Sequence, residues 1–135
     1  MANPPSKDIV EILEQSSTGL GYTFGTNMFI GVLPDTPDEC IAVYDTGGSS
    51  PAPNYDYYYP MVQVIVRGSS SGATAYKDTW DTIEIVKQAL HGLHGETWNG
   101  AVYIQIMAMS DILRLGPDDH GRPLFSLNFG VHRTY

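Results

Sequence analysis

From Leu124 to Thr134 the chain alternates: Phe125, Leu127, Phe129 and Val131 fall on one face, Ser126, Asn128, Gly130, His132 and Thr134 on the other. Period-2 alternation predicts a strand with one wall on a core and the other on water or a partner. Between Gly100 and Ser110 the even positions Val102, Ile104, Ile106 and Ala108 are aliphatic, while the odd positions mix Tyr103, Gln105, Met107 and Met109. This predicts a second strand, with its even face buried and its odd face partly shared. The intervening Leu115–Pro123 segment places Gly, Pro and Asp as a turn requires, with Gly121 free to take a positive φ. A long β-hairpin is the expectation.

Upstream, Ser6 is placed as N-cap of a short amphipathic helix carrying Ile9, Val10, Ile12 and Leu13 and ending before Gly19. Met28–Leu33 and Glu39–Asp45 read as strands; the prolines between them, Pro34 and Pro37, favour a tight reversal, so the two should form a first hairpin. Thr46–Asn54 is Gly, Ser and Pro with almost nothing to bury, and runs into Tyr55-Asp56-Tyr57-Tyr58-Tyr59, tyrosines expected either to start the third strand and cap the sheet edge or to meet a neighbouring subunit. A strand over Met61–Arg67 leads through Gly68–Gly72 into a long helix over Ala73–His91. There Tyr76, Trp80, Ile83, Val86 or Lys87, and Leu90 make an apolar stripe, and Gly92 ends the helix. The expected fold is α+β: one two-layer domain over residues 1–135, a mostly antiparallel sheet of about five strands, with one long and one short helix packed on one face. Residues 46–58 and 68–72 are expected to be flexible loops.

Charge narrows the function. Seven Lys plus Arg stand against 15 Asp plus Glu, a formal net charge of −8, which argues against tight binding to a nucleic-acid backbone. An acidic wall that surrounds DNA without holding it remains compatible with that charge. A single cysteine, Cys40, precludes an internal disulfide and is expected to be a buried structural thiol made in a reducing compartment. No secretory signal is visible at Met1–Pro5, and no apolar run is long enough for a membrane helix; the product is expected to be soluble and cytoplasmic when made.

Candidate chemistry is thin. His91 and His94 could share a metal with Asp118, Asp119 or His120, but the glycines at 92 and 95 interrupt the helix that would align them. Asp118-Asp119, or Asp35 with Asp38 and Glu39, could be a hydrolytic carboxylate pair, yet neighbours on a turn point apart. No nucleophile elbow or phosphate loop is present in the sequence. The expectation is a non-enzyme without catalytic, cofactor or metal residues and without a cofactor. Arg67 and Arg122, two of the few basic residues, are expected either to pair with acids inside the domain or to bridge to a neighbouring subunit.

Two blocks carry a resemblance. Leu115-Gly116, Asp118-Asp119, Gly121-Arg122 and Phe125-Ser126-Leu127-Asn128-Phe129 form one; Tyr59-Pro60-Met61-Val62-Gln63-Val64-Ile65-Val66-Arg67-Gly68, followed by a helix ending Ala89-Leu90-His91-Gly92-Leu93, forms the other. Together they resemble tailed-phage minor capsid or tail-terminator proteins over Tyr59–Arg133; the first half matches only in its order of elements. The resemblance implies a structural virion protein at the head-proximal end of a long tail, assembled in the host cytoplasm. It would form a ring, most readily of six copies, that binds the last ring of major tail-tube protein, stops its polymerisation and meets a head-side connector or stopper. DNA would pass through the lumen without specific binding, and no membrane is involved. Interface residues under that hypothesis are Tyr55, Tyr57, Tyr58, Tyr59, Arg67, Asp118, Asp119 and Arg122; the tyrosines before Tyr59 lie outside the resembling blocks and enter because tyrosine is enriched at interfaces. Alternatives are another connector component, such as a head-completion or tube-like protein, or a small metal-dependent hydrolase built on the C-terminal His and Asp residues.

Overall fold

The structure, a computed structural model, describes residues 2–70 and 72–135. Helix α1 spans Pro5–Glu14 and α2 spans Ala75–Leu90. The strands are β1 Met28–Ile30, β2 Cys40–Ser49, β3 Tyr57–Arg67, β4 His94–Trp98, β5 Ala101–Ala108, β6 Leu113–Pro117 and β7 Pro123–Thr134. They form one seven-stranded sheet in the order β1-β2-β3-β7-β5-β4, with β6 also on β7. The α+β class is as expected, but the sheet exceeds the expected five strands. Both additions, β4 (His-Gly-Glu-Thr-Trp) and β6 (Leu-Arg-Leu-Gly-Pro), are five residues long and mostly exposed.

The central pair is β3 and β7, antiparallel with Val62 opposite Phe129 and Val64 opposite Leu127. Val62, Val64, Val66, Phe125, Leu127 and Phe129 therefore share one face, and all are buried in a single cluster with Ile9, Ile12 and Leu13 of α1 and Ile83, Val86 and Leu90 of α2. The β7 alternation thus stands as read. On α2 the buried line is Thr79, Ile83, Val86 and Leu90, whereas Tyr76, placed in the expected stripe, is half exposed and meets Phe125 only by an edge-on ring contact of 5.1 Å.

Four expectations are corrected. First, Met28–Ile30 and β2 pair in parallel, Met28 with Ile41 and Ile30 with Val43, rather than as a hairpin. The proline segment between them is carried back across the sheet and held there by side-chain donors described below. Second, Ser6 is inside α1, not its cap; Pro5 takes the first helical position after Pro4. The Asp45 carboxylate of β2 accepts the Ser6 N–H at 3.0 Å and the Ser6 hydroxyl at 2.6 Å, so a strand residue satisfies the helix end. Third, β2 continues to Ser49 through a bulge between Asp45 and Gly48, and β3 starts at Tyr57, which confines the strandless tip to residues 50–56. Within the other expected loop, Ser71 lies outside the described residues. Fourth, a register shift between Tyr103 and Gln105 breaks the alternation of β5. Ala101, Tyr103 and Ile106 are buried while Val102 stands exposed, so the even face is the inner one only beyond the bulge.

The expected C-terminal hairpin is present in a divided form. β7 pairs with β5 through its last half and with β6 through its first, and β6 and β7 are the arms that close on the Asp118–Arg122 turn.

A buried polar cluster fixes α1 to the sheet. The Tyr103 hydroxyl donates to the Asp8 carboxylate, and Arg133 Nη1 lies 3.5 Å from Asp8 and 3.1 Å from the Tyr103 oxygen. Burial, the Asp8 hydrogen bond and its negative charge push the Tyr103 phenol above its ordinary range.

Candidate functional site

Residues opposite each other across an antiparallel ladder point to the same side. The register therefore puts Tyr57, Tyr59, Met61, Gln63, Ile65 and Arg67 of β3 on the outer face of the sheet. Asn128, Gly130 and His132 of β7 join them, as do Gln105 and Met107 of β5. The two ends of this face differ.

At the Arg67 end the face is closed. Arg67 is buried, and its guanidinium donates to the carbonyl oxygens of Pro34 (2.5 Å), Pro37 (2.7 Å) and Asp38 (2.9 Å). These bonds pin the 31–39 segment over the face and leave Cys40 and Ala42 without exposure. Pro34, Pro37 and Asp38 lie outside the strands, so their carbonyls have no ladder partner and take these donors instead. Arg122 completes the lid: its Nε donates to Asp118 at 2.8 Å, Nη1 to the Asp35 carbonyl at 2.6 Å and to the Asp38 carboxylate at 3.1 Å, and Nη2 to the Asp35 carboxylate at 2.9 Å. Burial alone would raise the Asp118 carboxyl, but the Arg122 and His120 N–H groups and the Arg122 guanidinium outweigh it and hold the group below its ordinary value. Burial raises the Cys40 thiol, with Arg67 and Arg122 opposing in part, so the thiol stays protonated.

At the other end the face is open. Tyr59 stacks on His132 at 4.7 Å between centroids, Tyr57 meets the same ring edge-on at 5.3 Å, and Tyr55 stacks on Tyr57 at 6.0 Å. Beside them Met107 and Met109 are about half exposed, and Tyr55 is 70% exposed. Gly130 makes room for Met109: a Cβ there would lie 2.7 Å from the Met109 sulfur. The result is a groove of about 240 Å³ floored by Gly130 and walled by Tyr59, Met61, Gln105, Met107, Met109 and His132. No Asp, Glu, Lys or Arg lines it.

The expected site residues therefore separate into two groups. Tyr59 lines the groove, Tyr57 reaches it through the His132 ring and Tyr55 stacks behind Tyr57, whereas Tyr58 points to the opposite face and stacks on Tyr135 at 4.5 Å. Arg67, Asp118 and Arg122 belong to the closed end, with Asp119 exposed at its rim. Both guanidinium groups use their donors within the chain, and Arg122 does so with three aspartates. The residues missed by sequence reasoning are Met107, Met109, Gly130 and His132. Their only signal was the mixed odd face of the 100–110 segment and the polar-looking face of 124–134; the groove needs both strands and β3 together.

The histidines and acids considered for catalysis have separate partners. The His91 ring accepts the Ala108 N–H at 2.9 Å, the His94 ring lies 3.0 Å from the Gly92 carbonyl, and His120 stands 3.5 Å from Asp35. Asp35 and Asp38, read as a possible carboxylate pair, face Arg122 instead. Among the described residues no group of three or more His, Cys, Asp or Glu converges as a metal site.

In comparison with known families, the model of the bacteriophage tail terminator protein family matches residues 17–135. It spans every strand and α2, and leaves α1 outside. No curated protein matches the chain.

Proposed function

The chain belongs to the bacteriophage tail terminator family, a structural component of the virion tail, and from that premise we propose that it closes the tail at the end nearest the head. In this reading several copies, most readily six, form a ring on the last ring of tail-tube protein, arrest its growth and present the opposite side to a head-side connector. The observation that carries the proposal is the family match over residues 17–135.

The physical character of the chain supports it. A closed ring needs two different, complementary surfaces on each subunit, and the open groove of the outer face and the exposed hairpin tip at 50–56 are two surfaces of unlike shape. Six copies at −8 each would carry roughly −48, an environment that repels phosphate if acidic groups face the lumen.

Absolute mass by light scattering tests the reading, for the protein alone and after mixing with growing tail-tube particles. A ring mass, or a monomer that binds only at tube ends and stops elongation, is expected. A chain that ignores the tube and stays monomeric overturns it.

A further inference from the structure

The open groove has no occupant within its own chain, although its borders are built with some care: Gly130 clears the floor, and the Met109 sulfur fills the space a side chain would take. Methionines and stacked tyrosines make a surface that adapts to a partner at small entropy cost. Elsewhere the chain is strongly acidic. On α2, Asp78, Asp81 and Glu84 outnumber their counter-charges Lys77 and Lys87, and at the closed end of the sheet Asp35, Asp38, Asp118 and Asp119 gather around the single Arg122 and leave a net negative charge. Two copies approaching through those surfaces would repel each other. The groove is uncharged, so two copies can meet there without that penalty.

One segment of the chain matches it. In the tip between β2 and β3 the run Ser50-Pro51-Ala52-Pro53-Asn54-Tyr55 is uncharged, with the tip's one acid, the exposed Asp56, following it; all of the run except the half-buried Ala52 is exposed. The hairpin is closed beneath it by the Ala52 N–H donating to the Tyr57 carbonyl at 3.1 Å. Pro51 and Pro53 fix their own φ and hold the residues before them extended, so little freedom is left to lose on docking. The tip turns at Pro53-Asn54, with Pro51 ahead of the turn; proline-bearing segments are recognised by grooves lined with aromatic rings, and Tyr59 and His132 supply such rings here.

We propose that the groove formed by Tyr59, Met107, Met109, Gly130 and His132 receives the 50–55 tip of a second copy of this chain. The inference rests on the self-assembling reading above and names the surface through which assembly proceeds. Each subunit then acts as donor through its tip and as acceptor through its groove.

A benzoylphenylalanine placed at position 107 tests it, because that side chain reacts on irradiation with whatever touches it. The chain is irradiated alone at high concentration and again after mixing with purified tails, using equal amounts of isotope-labelled and unlabelled protein so that links between copies are recognised by mass. Links from position 107 to residues 50–55 of the other isotopic form are expected. Links within one chain, to another segment of the second copy, to a tube or connector protein, or no link at all would each overturn the proposal. The companion variants are Tyr55→Asp, expected to weaken self-association at least tenfold, and Tyr55→Phe, expected to retain it; equal association by both is a further contrary result. Tyr55 is too exposed for either change to unfold the chain, which the thermal midpoint verifies. Light scattering separates the two levels of failure. A ring that forms without links to 50–55 removes this inference and leaves the terminator reading standing, whereas a chain that remains monomeric alone and on tails removes both.

Discussion

At the Arg67 end of the sheet's outer face, Cys40 and Ala42 are fully covered; about 20 Å along the strands, by the rise per residue, Met107 and Met109 are half open to solvent. The sheet is the same and so is the face. What differs is the charge placed over it. Arg67 and Arg122 draw a proline-rich segment and an acidic turn onto one end, and their donors are consumed by carbonyls and carboxylates of their own chain. At the other end no charged side chain among the described residues lines the groove to recruit a cover from within, and the apolar positions stay open to solvent. A closed end of this kind contributes to stability, an open one to association, and substitutions at the two should separate those quantities.

The largest effect on stability is expected at Arg122. Arg122→Leu would leave Asp118 desolvated and set Asp35, Asp38 and Asp118 against one another without their shared cation. Breaking a buried pair costs about 3–5 kcal/mol, and because Asp35 and Asp38 are mostly exposed the loss should fall nearer about 2–3 kcal/mol. Urea unfolding measures it; a change too small to move the midpoint would mean that the 31–39 segment holds without the guanidinium. Gly68→Ala should come next. A Cβ there would sit 1.8 Å from the Thr79 Oγ1 and 3.1 Å from Pro123 Cγ, and Thr79 is buried with its hydroxyl committed to the Ala75 carbonyl at 2.6 Å. Relieving that overlap must shift α2 against β3, which by the usual scale of overpacking costs about 1–3 kcal/mol.

Acid provides a graded version of the same test. Asp118 is held below the ordinary value of 3.8 in the folded chain, so the native state binds that proton more weakly than the unfolded one. The stabilisation is complete above 3.8 and disappears as pH falls through the lower native value. Wild type should therefore lose urea resistance over that acid window more steeply than Asp118→Asn, and the two curves should approach each other at its acid end. Parallel curves would show that Asp118 contributes nothing through its charge.

How much of this was legible beforehand follows from where the information resides. The β7 strand could be read because it lies in the middle of the sheet with one wall wholly in the core, which forces strict alternation. The β5 strand misled: its bulge near Ile104 moves the buried positions from Tyr103 to Ile106, and nothing in the local pattern marks the extra residue. The parallel pairing of β1 with β2 was hidden for another reason. Two prolines suggest a reversal, but the path of that segment is set by Arg67 and Arg122, 29 and 84 residues beyond Asp38. Internal pairing of Arg122 with acids was one of the two expectations, and the structure supplies its partners. The groove could not be assembled from the sequence because Tyr59, Met107 and His132 come from three separate strands, each unremarkable alone.

The smallest expected change in stability is also the one that distinguishes the two ends most sharply. Gly130, like Gly68, has a neighbour too close for a Cβ, at 2.7 Å, but that neighbour is the sulfur of Met109, a flexible side chain that is 57% exposed. Met109 can swing into solvent, whereas Thr79 cannot move without its helix. Replacing glycine also reduces the freedom of the unfolded chain, worth about 0.4–1 kcal/mol in favour of the fold where the backbone tolerates it, and the φ of Gly130 lies outside the left-handed region. Gly130→Ala should thus leave the unfolding free energy within about 0.5 kcal/mol of wild type, while the displaced methionine narrows the groove and weakens association between copies. A large loss of stability would mean that Met109 is packed as tightly as Thr79 and that the open end is part of the core. Unchanged stability together with unchanged association would mean that the groove is not where copies meet. Only the separation of the two quantities, stability retained and association lost, fits a face whose one end is sealed by its own charges and whose other end is completed by a neighbour.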